Sequence, residues 1–285
     1  MKKWGFILWV CLVLLFPPIS GAQSSKFILL SSTIGPIDAG IVDWLENEFE
    51  KDSGIRVRHV GAGTGAALEI AKKGTVDLVM VHAKSLEEKF IQEGYGTERI
   101  PLMYNDFVIM GPANDPAGVK GMKSAKEALK VISEKGTPFI TRGDKSGTHV
   151  AEMELWQKAG IKPQGPWYIT YERGTEGNAP TLKYTDEKQG YTFMDRATYL
   201  SLKSQIKLVV LVEKDEVLLN FISLIPVNPT KFPKVNYADS MQFVQWLTSP
   251  EKGHKIIADF GKEKYGAPLF FANSKEWQEK QGLKK

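Results

Sequence analysis

The sequence has one cysteine, Cys11, in 285 residues. No disulfide framework and no cysteine-based metal site can be built from one thiol. No apolar run reaches the ~20 residues that a membrane-spanning helix needs. Net charge is only +4, with acids and bases interspersed along the chain. Without a basic stripe, a nucleic-acid partner is a poor fit. The four histidines, His59, His82, His149 and His254, show no metal-ligand spacing along the chain, so no metal site is expected. No nucleophile stands beside a base in any recognisable motif, which argues against an enzyme, including one acting on a phosphate ester.

What is present begins with a targeting segment. Lys2 and Lys3 form a charged start, Trp4 to Phe16 an apolar stretch, and Ser20-Gly21-Ala22 a small-residue cleavage site. Residues 1–22 therefore read as a signal peptide. The mature chain is expected to start near Gln23 or Ser24, with no thiol and a net charge near +2. Export to a bacterial periplasm or the cell exterior is the matching expectation.

Strand-like and helix-like patterns alternate along the mature chain, which predicts parallel α/β layers. Three strand ends share one local design. Lys26 to Leu30 runs into Ser31-Ser32-Thr33 and a helical pattern from about Ile37 to Lys51. Arg56 to Val60 runs into Gly61-Ala62-Gly63-Thr64-Gly65 and a helix from Ala66. Pro138-Phe139-Ile140 runs into Thr141-Arg142-Gly143-Asp144-Lys145-Ser146-Gly147-Thr148-His149 and a helical pattern on Val150, Met153, Leu155 and Trp156. A hydroxyl-rich turn before a helix N-terminus directs free N–H groups and the positive end of the dipole at one place, as an anion site requires. Arg142 adds a permanent charge with a planar fork of donors. The same spacing also fits a plain strand-to-helix turn with Arg142 on the surface.

Ser146 or Thr148 is the expected N-cap of that helix, with Glu152 in its first turn. Asp144 could accept a proton from a protonated anion or could cap its own Arg-Gly loop. His149 could orient the loop or be a satisfied structural histidine. Glu172 to Pro180 could line a site or cross the surface. Trp156 and Trp246 are read as core.

The Arg142 stretch with Glu152 resembles the signature of the tungstate-binding proteins of tungstate-uptake ABC transporters. Tyr104-Asn105-Asp106-Phe107 through Gly111-Pro112, Gly63 to Leu68, and Asp195-Arg196-Ala197-Thr198-Tyr199-Leu200 resemble them too. The resemblance spans essentially the whole mature chain. It implies a two-lobed periplasmic-binding-protein fold (type II), similar to the molybdate-binding proteins, with the oxyanion in the interlobe cleft. By matching motifs it implies Ser32, Thr33, Thr64, Gly65, Arg142, Ser146, Gly147 and Thr148 as anion contacts. It also implies a membrane permease as partner, a monomer, no cofactor, and tungsten bound only as the oxyanion. The chain differs from the family pattern at Ile34-Gly35, where hydroxyl residues are usual, and at Gly174 to Asn178, where a Gly-Met pair is usual. Tungstate leads the expectation, with molybdate, vanadate and phosphate as alternatives.

Two lobes are expected, one from 24–106 and 227–285 and the other from 107–226. The crossings are placed at Asn105–Val108 and Leu224–Val227. An Arg142→Ala change is expected to weaken anion binding and to leave ligand-free stability nearly unchanged.

Overall fold

The computed structural model describes residues 27–282. The expected signal peptide, Cys11 and the expected mature start lie outside these residues. The strands are β1 (Phe27–Thr33), β2 (Arg56–Ala62), β3 (Leu78–Val81), β4 (Ile100–Gly111), β5 (Phe139–Thr141), β6 (Tyr168–Thr170), β7 (Tyr191–Asp195), β8 (Val209–Val212), β9 (Leu219–Pro226) and β10 (Phe271–Ala272).

Two groups of strands meet on β4. In the first, the order is β2-β1-β3-β9-β4, with β10 also on β4. Here β1 runs parallel to β2 and β3, and β9 is antiparallel to both its neighbours. Residues Ile100 to Asp106 of β4 pair with β9. From Phe107 onward the strand pairs with β7 and β8 instead. Beyond β7 lie β5 and β6, parallel to one another. The layers are α/β as expected, but the pairing is mixed rather than parallel throughout.

The change of partner on β4 falls between Asp106 and Phe107, inside the expected crossing at Asn105–Val108. The return was expected at Leu224–Val227. All of β9, from Leu219 to Pro226, pairs with β3 and the first half of β4, so these residues belong with the first sheet. An apolar strand is equally compatible with either sheet, so hydrophobicity did not show which one β9 joins. Polar pairs fix both crossings. Asn220 donates to Asn105 at 2.8 Å. Arg196 grips both oxygens of Asp106 at 2.5–2.9 Å and reaches Glu213 at 2.8 Å.

The helices form where apolar residues recur at helical spacing. The expected first helix is divided in two. A short α1 (Ile34–Asp38) is followed by α2 (Ile41–Ser53), with Gly40 between them at φ 84°. Ile41, Val42, Leu45 and Phe49 bury one face of α2, and Gly54 at φ 72° ends it. Next come α3 (Thr64–Ala71), α4 (Lys84–Gln92) and α5 (Ala125–Lys135). Then follow α6 (Gly147–Lys158), α7 (Asn178–Lys188), α8 (Arg196–Leu202) and α9 (Tyr237–Thr248).

Each sheet has its own aromatic-rich core. Phe49 and Phe243 meet at 4.7 Å between ring centroids in the first, beside Trp246. Phe139 meets Trp156 edge-on at 5.1 Å in the second. Burying one such side chain contributes about 1.5–3 kcal/mol. The two tryptophans are core residues, as expected.

Candidate functional site

Three of the strand ends carry the hydroxyl turns. Register pairs Ser32 with Gly61 and Thr33 with Ala62, which sets the first two turns side by side at the carboxyl ends of β1 and β2. Ligands of open α/β sheets sit beyond such ends. Ser32 and Thr33 are buried, and Ser32 Oγ donates weakly to the Thr33 carbonyl at 3.3 Å. The hydroxyl oxygens of Thr33 and Thr64 are buried with no hydrogen-bond partner among the described residues. Buried hydroxyls are normally satisfied, and leaving one bare costs about 1–3 kcal/mol. Thr64 and Gly65 are the first two residues of α3, so their N–H groups are among its open donors.

The third turn is built around Arg142, just after β5. Its Nη2 donates to Asp144 Oδ2 at 2.6 Å, its Nη1 to Asn178 Oδ1 at 2.5 Å, and its Nε to the Gly174 carbonyl at 3.2 Å. A guanidinium has five N–H donors, so two remain for a ligand. Arg142 is thus neither a surface residue nor a free cation in an empty cleft. Asp144 Oδ1 accepts from the Ser146 N–H at 3.1 Å, the loop-capping role. Burial raises the Asp144 carboxyl, but the Ser146 hydrogen bonds and Arg142 outweigh it and hold it below the ordinary range. It is therefore an ionised anchor and a poor acceptor for a ligand's proton.

Two close backbone approaches make this turn possible. A Cβ on Gly143, at φ 67°, would meet Thr170 at 2.3 Å. A Cβ on Gly174 would lie 2.0 Å from the Arg142 carbonyl oxygen. The segment from Glu172 therefore packs directly on the Arg142 turn rather than crossing free surface.

Ser146 is the N-cap of α6, its Oγ accepting from the His149 N–H at 3.4 Å. Thr148 Oγ1 accepts from Asn178 Nδ2 at 3.0 Å. In Thr148 an acceptor position is taken by the protein, leaving its O–H proton to be donated, whereas the Ser146 hydroxyl also serves the Asp144 carboxylate. Asn178 Nδ2 also donates to Asp195 Oδ2 at 2.6 Å, and Asp195 caps α8 through Thr198 N–H at 2.8 Å. One amide thus ties the Arg142 turn to the ends of β7 and α6. His149 Nδ1 accepts from the Lys145 N–H at 2.8 Å, bracing the left-handed Lys145 at φ 60°.

Glu152 does not cap α6. It lies in the second turn, fully buried, where Oε1 accepts from Tyr168 at 2.7 Å and from Trp156 Nε1 at 3.1 Å. Burial pushes its carboxyl up to about 7. Leu155 and Trp156 of the same helix are buried too, but Val150 and Met153 are exposed. The helical pattern thus mixed one buried and one exposed pair.

Groups from the first lobe reach this turn. A Cβ on Gly147 would lie 3.4 Å from the imidazole of His82, which follows β3. Burial lowers the His82 imidazole, favouring its neutral form. On α1, burial and the Asp195 carboxylate push Asp38 up, while Arg142 pulls it down. Asp38, His82, Asn178 and Asp195 were not among the expected site residues. The Gly-, Thr- and Asn-rich composition around Asn178, and the polar residue following each of the apolar strands before His82 and Asp195, were the available signals.

The comparisons agree with this geometry. A family model described as a PBP superfamily domain matches residues 20–251. The tungstate-binding protein TupA of Peptoclostridium acidaminophilum is 45% identical over 258 residues, 90% of this chain and 89% of that one. A solved tungstate-binding protein, TupA from Desulfovibrio alaskensis, has a TM-score of 0.79 at 40% identity and covers 88% of this chain and 100% of its own. The crystal structure of the tungstate ABC transporter from Geobacter sulfurreducens has a TM-score of 0.71 at 43% identity, covering 82% of this chain and 99% of its own. The chain belongs to the PBP superfamily and, within it, to the family of the tungstate-binding proteins.

Proposed function

We propose that this chain is an extracytoplasmic solute-binding protein that captures tungstate and delivers it to the permease of an ABC transporter. The carrying observation is the pair of buried hydroxyls, Thr33 and Thr64, that lack partners at the two neighbouring strand ends. Such groups are stabilised by an acceptor that arrives from outside. Ser32, Gly65, Arg142, Ser146, Gly147 and Thr148 complete the set, the backbone N–H groups at the starts of α3 and α6 included. The ligand lies between two lobes, which divide between Asp106 and Phe107 and again between Val212 and Leu219.

The donor set favours a fully deprotonated tetrahedral dianion. Tungstate and molybdate are in that form near pH 7. Monohydrogen phosphate carries a proton that faces donors here, and a buried unmatched donor costs about 1–3 kcal/mol. Sulfate lacks the proton, but its shorter bonds keep its oxygens from reaching every donor at once. The protein works as an exported monomer, its signal peptide removed, and performs no catalysis.

Calorimetric titration of the purified mature protein with tungstate, molybdate, vanadate, sulfate and phosphate tests the reading. Tungstate is expected to bind tightest, one per chain. Tight phosphate or sulfate binding with weak tungstate binding would overturn it.

A further inference from the structure

Away from the cleft, α2 packs on β2 and brings three donor side chains together: Asp43, Glu46 and His59. Their ligand atoms all lie within 4.8 Å of one another. We propose that these three residues bind one divalent first-row transition-metal cation on the first lobe, in a site separate from the anion's.

The geometry comes from two elements. Asp43 and Glu46 are three residues apart on α2, so both carboxylates share one face of the helix. His59 lies on β2, opposite Leu30 of β1, and its Nδ1 is 3.1 Å from Glu46 Oε1. Ligands at ~2.0–2.1 Å from a tetrahedral Zn2+ are ~3.3 Å from each other. The His59–Glu46 pair is already at that spacing, and Asp43 is within a side-chain adjustment of it. One imidazole and two carboxylates are a borderline donor set that suits zinc and its first-row neighbours better than magnesium or calcium, which take oxygen ligands alone. Three protein ligands leave a fourth position for water.

Charge points the same way. Glu46 is 3% exposed, an uncommon place for a carboxylate. Arg58 offers no direct contact, since its guanidinium turns to Glu50 and the Val57 carbonyl. Asp43 and Glu46 set two carboxylates beside one imidazole, an arrangement that a divalent cation complements. The simpler account is a hydrogen bond between His59 and Glu46 alone. It gives Asp43 no part and allows no saturable metal binding.

The experiment uses the tag-free mature protein, stripped with a chelator and titrated with zinc chloride by calorimetry, with magnesium chloride as control. One zinc per chain is expected, with a melting temperature that rises with zinc concentration and little response to magnesium. Binding should weaken as pH falls from 7.5 to 5.5, because protons compete for the ligands. His59→Gln and Asp43→Asn should each weaken zinc at least ~10-fold, the scale of changes around metal sites. Asp43 is exposed, so its variant should fold and melt like the parent without zinc. Tungstate affinity should be unchanged in both variants, which separates this site from the proposed transport function. Absence of one-to-one zinc binding in the parent, or equal zinc affinity in Asp43→Asn, would overturn the proposal.

Discussion

The guanidinium of Arg142 and the side-chain amide of Asn178 are joined at 2.5 Å across 36 residues of chain. The same amide holds Thr148 through its other end. Arg142 and Thr148 are both proposed anion contacts, so Asn178 sets their separation.

Asn178→Ala should therefore act at a distance. Arg142 loses an acceptor, and Thr148 and Asp195 lose a donor. A lost hydrogen bond to a charged partner is worth ~1.5–3 kcal/mol, and each ~1.4 kcal/mol is tenfold in affinity. Tungstate affinity should fall about 10-fold by calorimetry. Affinity equal to the parent's would show that Asn178 does not position the turn.

Arg142→Ala should damage both binding and folding. The sequence alone suggested an idle cation whose removal leaves ligand-free stability untouched. The structure shows three protein partners, and removing the side chain strands Asp144, Asn178 and the Gly174 carbonyl. A loss of ~2 kcal/mol corresponds to a melting temperature lower by about 4–8 °C without ligand for a chain of this size. Tungstate binding should also weaken by at least ~10-fold, since a buried anion loses its one full countercharge. A variant that melts normally and binds weakly would support the sequence-based view; one that melts low and binds normally would confine Arg142 to holding its loop.

Thr33→Val and Thr64→Val should separate function from stability in the opposite way. Both hydroxyl oxygens are buried without a partner among the described residues. Valine keeps the shape and removes the bare polar atom, so ligand-free melting should hold or rise. Tungstate affinity should drop about 10-fold or more for each change. Unaltered affinity in both variants would remove these threonines from the site.

Much of the local turn chemistry at the candidate site was legible in the sequence, because hydroxyls and glycines at the junction of a strand and a helix serve local backbone chemistry. Ser146 capping α6 and Asp144 capping the Arg142 turn are contacts within a few residues. The partners of Arg142 from Gly174 to Asn178 were not legible, because 32 and 36 residues separate them and only the packing of α7 beside β5 joins them. The pairing of β9 in the first sheet was not legible for a related reason: hydrophobic content shows burial but not which neighbour supplies hydrogen bonds. Glu152 was misread because Ser-x-x-Glu logic was applied one turn too far along, where the side chain turns inward to Tyr168 and Trp156.

That inward turn gives a pH prediction. The Glu152 carboxyl is pushed up to about 7 by burial, against an ordinary value of 4.5. The folded chain therefore holds this proton more tightly than the unfolded chain. The stabilisation is fully present below about pH 4.5 and is lost as pH rises through 7. At ~1.4 kcal/mol per pKa unit, the swing is at most about 3 kcal/mol. Glu152→Gln keeps an oxygen to accept from Tyr168 and Trp156, and its amide can donate to the adjacent Thr141 hydroxyl. It has no proton to lose. Other groups titrate over the same range in both proteins, so the difference between them is the measurement. Glu152→Gln should melt close to the parent at pH 5 and above it at pH 8. A difference that is constant with pH would mean that Glu152 is already ionised at pH 5, with its charge fully compensated by the hydroxyl and indole donors around it.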